Sequence, residues 1–342
     1  MSNTEMDSKY PSTAKALVFD LATKTLDVYH SNRVPVPDPI RDDHLIQVEA
    51  IALCARELEW PCLFPAALLS DNPDKQIIPG YDVAGTVITA PPASPFQPGD
   101  EVYARTYPAR PGNYREFSIG RGVEMARKPH QLSWAEAASV PMSAVTAWQA
   151  LYEHAGVARP SEPSSERKRI LITAAAGGCG VWLVQLAKMA GLEVIAQVGS
   201  PQNDRFIRGL GATETVNYRT MSLMEWAKTH EPVDVIIDCI GGKALEEAWY
   251  CIKDQGSLIS IVEPPEGKRP EELKTKDVKN EFFIMYPSGQ QLGEISKLIE
   301  QGRCEAVVDS VWAFPDFKGA FERLDGGHAR GKVVVQIAQP VV

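Results

Sequence analysis

The sequence predicts an α/β fold in which a parallel-sheet domain is inserted into a β domain made from both ends of the chain. Three observations carry this. The first 130 residues are rich in Pro and in short strand-like runs separated by turn signals, the pattern of antiparallel sheet. From Arg169 onward apolar strand-like runs alternate with helical patterns, as βαβ units do. After residue 305 strand-like runs return, so head and tail can pair around the middle.

The head contains KALVFD (15–20), LIQVEAIAL (45–53), VAGTVIT (83–89) and DEVYAR (100–105), with NP, PG and PP turns between them. At LSWAEAASV the texture changes: Ser133 with Glu136 three residues on is a capping box that opens a helix. The Pro/Ser-rich, charged stretch 158–169 reads as an exposed connection. The strand-like runs beyond it are RILIT (169–173), EVIAQV (193–198), ETVNY (214–218), DVIIDCI (234–240), GSLISIV (256–262) and EFFIMY (281–286). Helical patterns lie at 181–191, 243–252 and 289–302. AVVDSVWAF (306–314) and KVVVQIA (332–338) close the chain. The expected domains are 1–140 plus 308–342, and 141–307.

Composition narrows the function classes. The 342 residues carry 35 Lys and Arg against 44 Asp and Glu, a formal charge of -9. That balance argues against general affinity for nucleic acid or anionic membrane. The polar, acidic start MSNTEMDSKYPSTAK resembles neither a signal peptide nor a transit peptide, and no apolar run approaches the ~20 residues of a membrane span. A cytoplasmic location is the expectation. The six cysteines, at 54, 62, 179, 239, 251 and 304, form no C-x-x-C pair and read as reduced thiols. Neither they nor the histidines have the spacing of a zinc cage.

The strongest local motif is ILITAAAGGCGVWLVQLAKMAG. Ala174-x-x-Gly177-x-x-Gly180 follows a buried strand and opens an amphipathic helix, the context a dinucleotide fingerprint requires. Ala174, Gly177, Gly178, Cys179 and Gly180 are the predicted phosphate-binding turn, because free N–H groups and the helix dipole favour anions there. Chains that bind NAD usually carry Asp or Glu about 20 residues on, to accept from the ribose 2′-OH. Here the next strand ends Gln197-Val198-Gly199-Ser200, and no carboxylate follows until Asp204. NADP is therefore favoured, with Ser200, Gln202 and Asn203 as hydrogen-bonding groups and Arg205 or Arg208 as added charge.

These stretches, together with IIPGYDVAGTV, FQPGDEVYAR, GNYREF, VDVIIDCIGG and GHARGKVVVQI in this order, resemble the medium-chain dehydrogenase/reductase superfamily. More narrowly they are similar to its zinc-independent quinone oxidoreductase and enoyl reductase branch. The resemblance implies a Rossmann parallel-sheet domain inserted into a GroES-like β-barrel domain, with the active site in the cleft between them. It places Thr146 at the nicotinamide, Tyr218 by the adenine ribose, Gly241 and Gly242 at the nicotinamide ribose, Val262 at the carboxamide and Lys332 on the phosphate side. Tyr81 and Tyr114 are implied to line the substrate cleft, and Cys54 to lie near the reacting carbon. Zinc-dependent relatives use a Cys and a G-H-E motif; here Cys54 stands at the first place, but Tyr81 replaces the histidine. The structural-zinc cysteines are missing as well, so no metal is expected. Cys54-Ala55 also replaces the Asn-Pro pair usual in quinone reductases.

The resulting expectation is an NADPH-dependent reductase that passes hydride to a quinone or an α,β-unsaturated carbonyl. Alternatives are an enoyl reductase-type tailoring enzyme and a non-catalytic NADPH-binding sensor or structural protein. The partner expected is a small-molecule substrate, and the resemblance implies a second copy of the chain bound through the Rossmann sheet edge, for which 281–286 is the candidate strand.

Overall fold

The structure is a computed structural model and describes residues 10–63, 76–159 and 168–338. The readings of the N-terminal leader, of most of the 158–169 connection and of the last residues lie outside the described residues. The chain divides into two compact units, Met1–Met142 with Tyr286–Val342, and Ser143–Met285.

The first unit begins with a hairpin of β1 (Thr13–Asp20) and β2 (Thr25–Arg33). β3 (Asp43–Ala52), α1 (Trp60–Leu63), β4 (Asp82–Thr89), β5 (Glu101–Arg105), β6 (Phe117–Arg121), β7 (Met125–Arg127) and α2 (Trp134–Ala138) follow. Ser133 caps α2 by accepting from the Glu136 N–H, and the Glu136 carboxylate reaches back to the Ser133 N–H, the capping box expected. The chain enters the second unit along α3 (Pro141–Trp148).

The second unit runs β8 (Arg169–Ile172), α4 (Gly178–Met189), β9 (Glu193–Val198), α5 (Pro201–Leu210), β10 (Glu214–Asn217), α6 (Leu223–Ala227), β11 (Val233–Asp238), α7 (Gly242–Ala248), β12 (Ile252–Ser260) and β13 (Lys279–Phe282). Its six strands are parallel, in the order β10-β9-β8-β11-β12-β13. Buried on both faces, the central strands read as continuous apolar runs, and Leu171, Ile195, Ile236 and Leu258 pack with Trp226 and Trp249. The strand order reverses between β8 and β11. Ligands of open α/β sheets bind at such a switch point, outside the carboxyl ends of the strands.

The chain returns to the first unit through α8 (Gly289–Glu300), β14 (Val308–Ala313), α9 (Phe317–Asp325) and β15 (Lys332–Gln336). β15 pairs antiparallel with β3, Val334 opposite Ala52, so head and tail form one seven-stranded sheet. Its core joins Ile46, Ile51 and Val102 to Phe314, Phe321, Val333 and Val335.

Two expected boundaries shift. The second crossing falls at 285 rather than 307, because α8 packs on the first unit. The Tyr103 hydroxyl lies 2.7 Å from Ser296 Oγ, and a Cβ on Gly289 would sit 2.3 Å from the Met125 carbonyl oxygen. The run 281–286 is strand only to Phe282, as the edge strand β13.

Candidate functional site

In the second unit the candidate groups gather at the carboxyl ends of β8, β9, β11 and β12. Ala174 has φ of 47°, so the chain turns left-handed directly after β8, at a position where glycine would be unstrained. Gly180 lies against that turn: a Cβ there would be 2.4 Å from the Ala174 carbonyl oxygen and 2.6 Å from Ala175 backbone atoms. Gly177 caps α4, and Gly178, Cys179 and Gly180 form its first turn. The N–H groups of a first turn have no preceding helical carbonyl to bond, which suits a phosphate.

Ser200 caps α5, its hydroxyl accepting from the Asn203 N–H at 3.1 Å. The half-exposed Tyr218 lies beside it, since a Cβ on Gly199 would be 2.2 Å from the tyrosine Oη. Tyr218, Ser200 and Asn203 are thus brought together. Asp204 sits within α5 and pairs with Arg208 at 2.9 Å and with the Thr215 hydroxyl. Arg208 also donates to the Thr213 carbonyl and to Thr215 Oγ1, so its guanidinium is engaged and the added charge predicted for it is corrected. Thr146 is buried on α3.

Sequence reasoning missed Asp238, the residue that joins the strand ends. Fully buried, its carboxylate accepts from Thr173 Oγ1 at 2.8 Å, Ser260 Oγ at 2.9 Å and the Gly241 N–H at 3.0 Å. Ser260 in turn accepts from the Val262 N–H at 3.1 Å. Val262 therefore has no free N–H for a carboxamide, and its backbone contribution is limited to the carbonyl. No local signal marks this network, because its members come from three strands.

A second polar centre lies in the first unit. Lys332, at the start of β15, is buried with its ammonium 2.9 Å from Cys54 Sγ and 3.1 Å from Asp82 Oδ2. Asp82 is fully buried and accepts from the Met142 N–H at 2.7 Å. The phosphate-side role expected for Lys332 is thereby corrected: its charge faces a thiol and a carboxylate of its own unit. Burial alone would pull Lys332 down, but its hydrogen bonds to Cys54 and Asp82 and the charge of Asp82 outweigh it and keep it protonated. Burial pushes the Cys54 thiol up to about 12, against the opposing pull of Lys332. Cys54 is therefore a thiol at neutral pH, not a nucleophilic thiolate.

Glu57 belongs to the same centre and was not foreseen. It is buried, and among the described residues no group reaches either carboxylate oxygen with hydrogen-bond geometry. Burial pushes it up to about 8, although Lys332 and the Cys54 and Gly80 N–H groups bias it toward ionisation. Tyr81 stacks on Trp60 with ring centroids 5.6 Å apart, and the Arg105 guanidinium lies 5.8 Å from its ring. Burial, reinforced by Glu57, raises Tyr81 so that its hydroxyl keeps its proton. Tyr114 is elsewhere. Fully buried, it donates to the Phe314 carbonyl at 2.9 Å and packs edge-on against that ring. The substrate-lining role expected of Tyr114 is corrected to a core hydrogen bond.

The second unit fits a dinucleotide, because Gly180, without a Cβ, lets α4 start against the Ala174–Ala175 backbone and so brings its first-turn N–H groups to the carboxyl end of β8. The first unit does not fit a catalytic zinc, which needs three protein ligands and an open position. Cys54 holds its proton beside an ammonium, and Tyr81 offers a protonated phenol. Among the described residues no group of three or more His, Cys, Asp or Glu side chains is arranged to hold a metal ion.

Comparisons with known proteins find dehydrogenases and oxidoreductases. Residues 41–149 match the alcohol dehydrogenase GroES-like domain family and residues 210–335 the zinc-binding dehydrogenase family. A protein of Arthroderma benhamiae named probable zinc-binding oxidoreductase, mitochondrial, is 42% identical over 96% of this chain and 98% of its own. A mitochondrial NAD(P)H oxidoreductase of Danio rerio is 31% identical over 77% of this chain and 73% of its own. Among solved structures, the quinone oxidoreductase from Coxiella burnetii superposes with a TM-score of 0.81, at 26% identity, over 95% of this chain and 99% of that one.

Proposed function

The chain belongs to the medium-chain dehydrogenase/reductase superfamily, and from that premise we propose that it is an NADPH-dependent reductase working without zinc. The acceptor is a quinone or the β-carbon of an α,β-unsaturated carbonyl. That the chain is an oxidoreductase with a nicotinamide-dependent fold follows from its relatives. The finer reading rests above all on the end of β9: Ser200 and Asn203 stand where a ribose-binding carboxylate would be, and Asp204 is tied to Arg208.

When bound, the cofactor supplies hydride. The turn from Ala174 to Gly180 binds its pyrophosphate, Ser200 and Asn203 receive the 2′-phosphate, and Tyr218 flanks the adenine ribose. Tyr81, kept protonated, donates a hydrogen bond to the oxygen on which charge develops. Cys54, kept as a thiol, forms no covalent adduct. Orienting the reactants and excluding water are the protein's remaining contributions.

The test is NADPH and NADH oxidation against a panel of quinones and enones. Turnover with NADPH is expected, unaffected by chelator. Measured NADPH binding without turnover on any acceptor would leave a non-catalytic binding protein. A cytoplasmic location belongs to the same proposal, whereas both relatives above are named mitochondrial; cell fractionation decides it.

A further inference from the structure

Three arginines of the first unit are folded inward. Arg105 ends β5, and Arg110 and Arg115 lie on the loop between β5 and β6. Arg105 and Arg115 are 4% and 7% exposed, and the Arg110 side chain is 18% exposed. Guanidinium groups are almost never fully buried unless paired. Here the pairing is incomplete. Arg110 Nη2 donates to the Glu124 carboxylate at 2.5 Å, Arg115 Nη2 to Ser118 Oγ at 3.2 Å and Arg105 Nη1 to the Thr106 carbonyl at 2.5 Å. Among the described residues, Arg105 Nε, Arg110 Nε and Nη1, and Arg115 Nε are buried with no hydrogen-bond partner.

The charges do not balance either. Among the described residues, Glu124 is the one carboxylate in ion-pair contact with any of the three. Its charge also acts on Arg105, and so does that of Asp82, which is already paired with Lys332 at 3.1 Å. Burial, and after it the Arg110 charge, pulls Arg115 down to about 10, so it is still a cation at neutral pH. Polar side chains link the ends of the group. Asn113 Nδ2 donates to Thr106 Oγ1 at 2.8 Å, and Ser118 Oγ to Asn113 Oδ1 at 2.5 Å. The loop backbone is pinned: the Gly112 N–H donates to the Ile78 carbonyl at 2.8 Å and the Tyr114 N–H to the Pro79 carbonyl at 3.0 Å. The unpaired donors are therefore held in place before a ligand arrives, which lowers the ordering cost of binding one.

We propose that Arg105, Arg110 and Arg115 form an oxyanion site that takes a carboxylate or phosphate group. Guanidinium donors suit the oxygens of such groups, and the anion would offset the excess positive charge. Arg110 and the exposed Tyr107 mark the side open to solvent. The group can arrive as a free anion or on the reducible substrate, since the Arg105 guanidinium also lies 5.8 Å from the Tyr81 ring centroid. The first source needs nothing from the reductase reading; the second rests on it.

The experiment titrates the full chain with acetate, with inorganic phosphate and, at equal ionic strength, with chloride, read by calorimetry. Wild-type protein should bind acetate or phosphate saturably and roughly tenfold or more tightly than chloride. Arg115→Met should weaken the better oxyanion by about tenfold or more. Because it removes an unpaired charge from the interior, its melting temperature without oxyanion should stay level or rise. Glu124→Gln removes the competing carboxylate and should tighten oxyanion binding roughly threefold or more. No saturable oxyanion binding by wild-type protein overturns the proposal, and so does an Arg115→Met protein that binds as wild type does. If Arg115→Met does not fold, Glu124→Gln decides: unchanged or weaker binding overturns the proposal. Kinetics with an enone that carries a carboxylate, and with its methyl ester, then identify the source. A KM about tenfold lower for the acid, lost in Arg115→Met, places the group on the substrate, whereas equal KM values beside saturable acetate or phosphate binding assign a free anion. Absence of turnover strikes the reductase reading alone, because the titrations do not need it.

Discussion

Glu57 makes the first unit's polar centre sensitive to pH. In an unfolded chain its carboxyl titrates near ~4.3, whereas in the fold burial pushes it up to about 8. Between those values the native state keeps a proton that the unfolded state has released. Stability therefore falls as pH rises through this window, at a limit of about 1.4 kcal/mol per pH unit, and levels off once the native carboxyl also ionises. Glu57→Gln cannot ionise. It should match wild type near the bottom of the window and be the more stable protein at pH 8, as urea midpoints measured across the window will show. Equal slopes for the two proteins would exclude this account. Lys332 behaves oppositely: removing it strands Asp82, fully buried, without its cation. Lys332→Met should cost about 3–5 kcal/mol of unfolding free energy, and adding Asp82→Asn should recover part of that in a double-mutant cycle. Neither Glu57 nor the Lys332–Asp82 pair was legible in the sequence as a charge centre. Lys332 and Asp82 lie 250 positions apart, and only the pairing of β15 with β3 and of β3 with β4 brings them together.

At the scale of the element, the turn between β8 and α4 was the most legible part of the site, because its signal is local: an apolar strand, closely spaced glycines and a helix within one window. Its glycines are not equivalent, however. A Cβ on Gly180 would overlap backbone atoms at 2.4 and 2.6 Å, which cannot rotate away, whereas one on Gly177 would meet only the Ala174 carbonyl oxygen, at 3.2 Å. Gly180→Ala should weaken NADPH binding by roughly tenfold or more, as overpacking of ~1–3 kcal/mol shifts the turn, while Gly177→Ala stays within about threefold. Fluorescence titration of NADPH against both variants decides it; equal losses would mean that the cradle is not set by this contact. The Asp238–Ser260–Thr173 network shows the converse. Each member is an ordinary strand-end residue, and only the register of β8, β11 and β12 aligns them. The strand β2 was missed for a related reason. Its hairpin arm is polar and mostly exposed, so it lacks the apolar alternation that marks a half-buried strand.

Across the whole molecule, the inserted parallel sheet was readable because strands buried on both faces leave uninterrupted apolar runs, and six such runs with helices between them admit few topologies. The return to the first unit was misplaced because α8 has the same amphipathic pattern whichever unit it covers. Only its contacts with Tyr103 and Met125 assign it. One measurement on the intact chain tests the cofactor and metal readings together. A ligand that binds only the native state stabilises it by about 2.7 kcal/mol at a hundredfold excess over its Kd, and so raises the melting temperature. Because no carboxylate guards the end of β9, and Ser200 and Asn203 stand ready to bond a phosphate, NADPH should raise it more than NADH at equal concentration. The Lys332 ammonium supplies the cation beside Cys54 and Asp82, so exhaustive chelation should leave the melting temperature unchanged. A larger shift with NADH would reverse the assignment of Ser200 and Asn203. A drop after chelation, with zinc recovered from the protein, would show that a metal takes part in holding the fold and that the donor set has been misjudged.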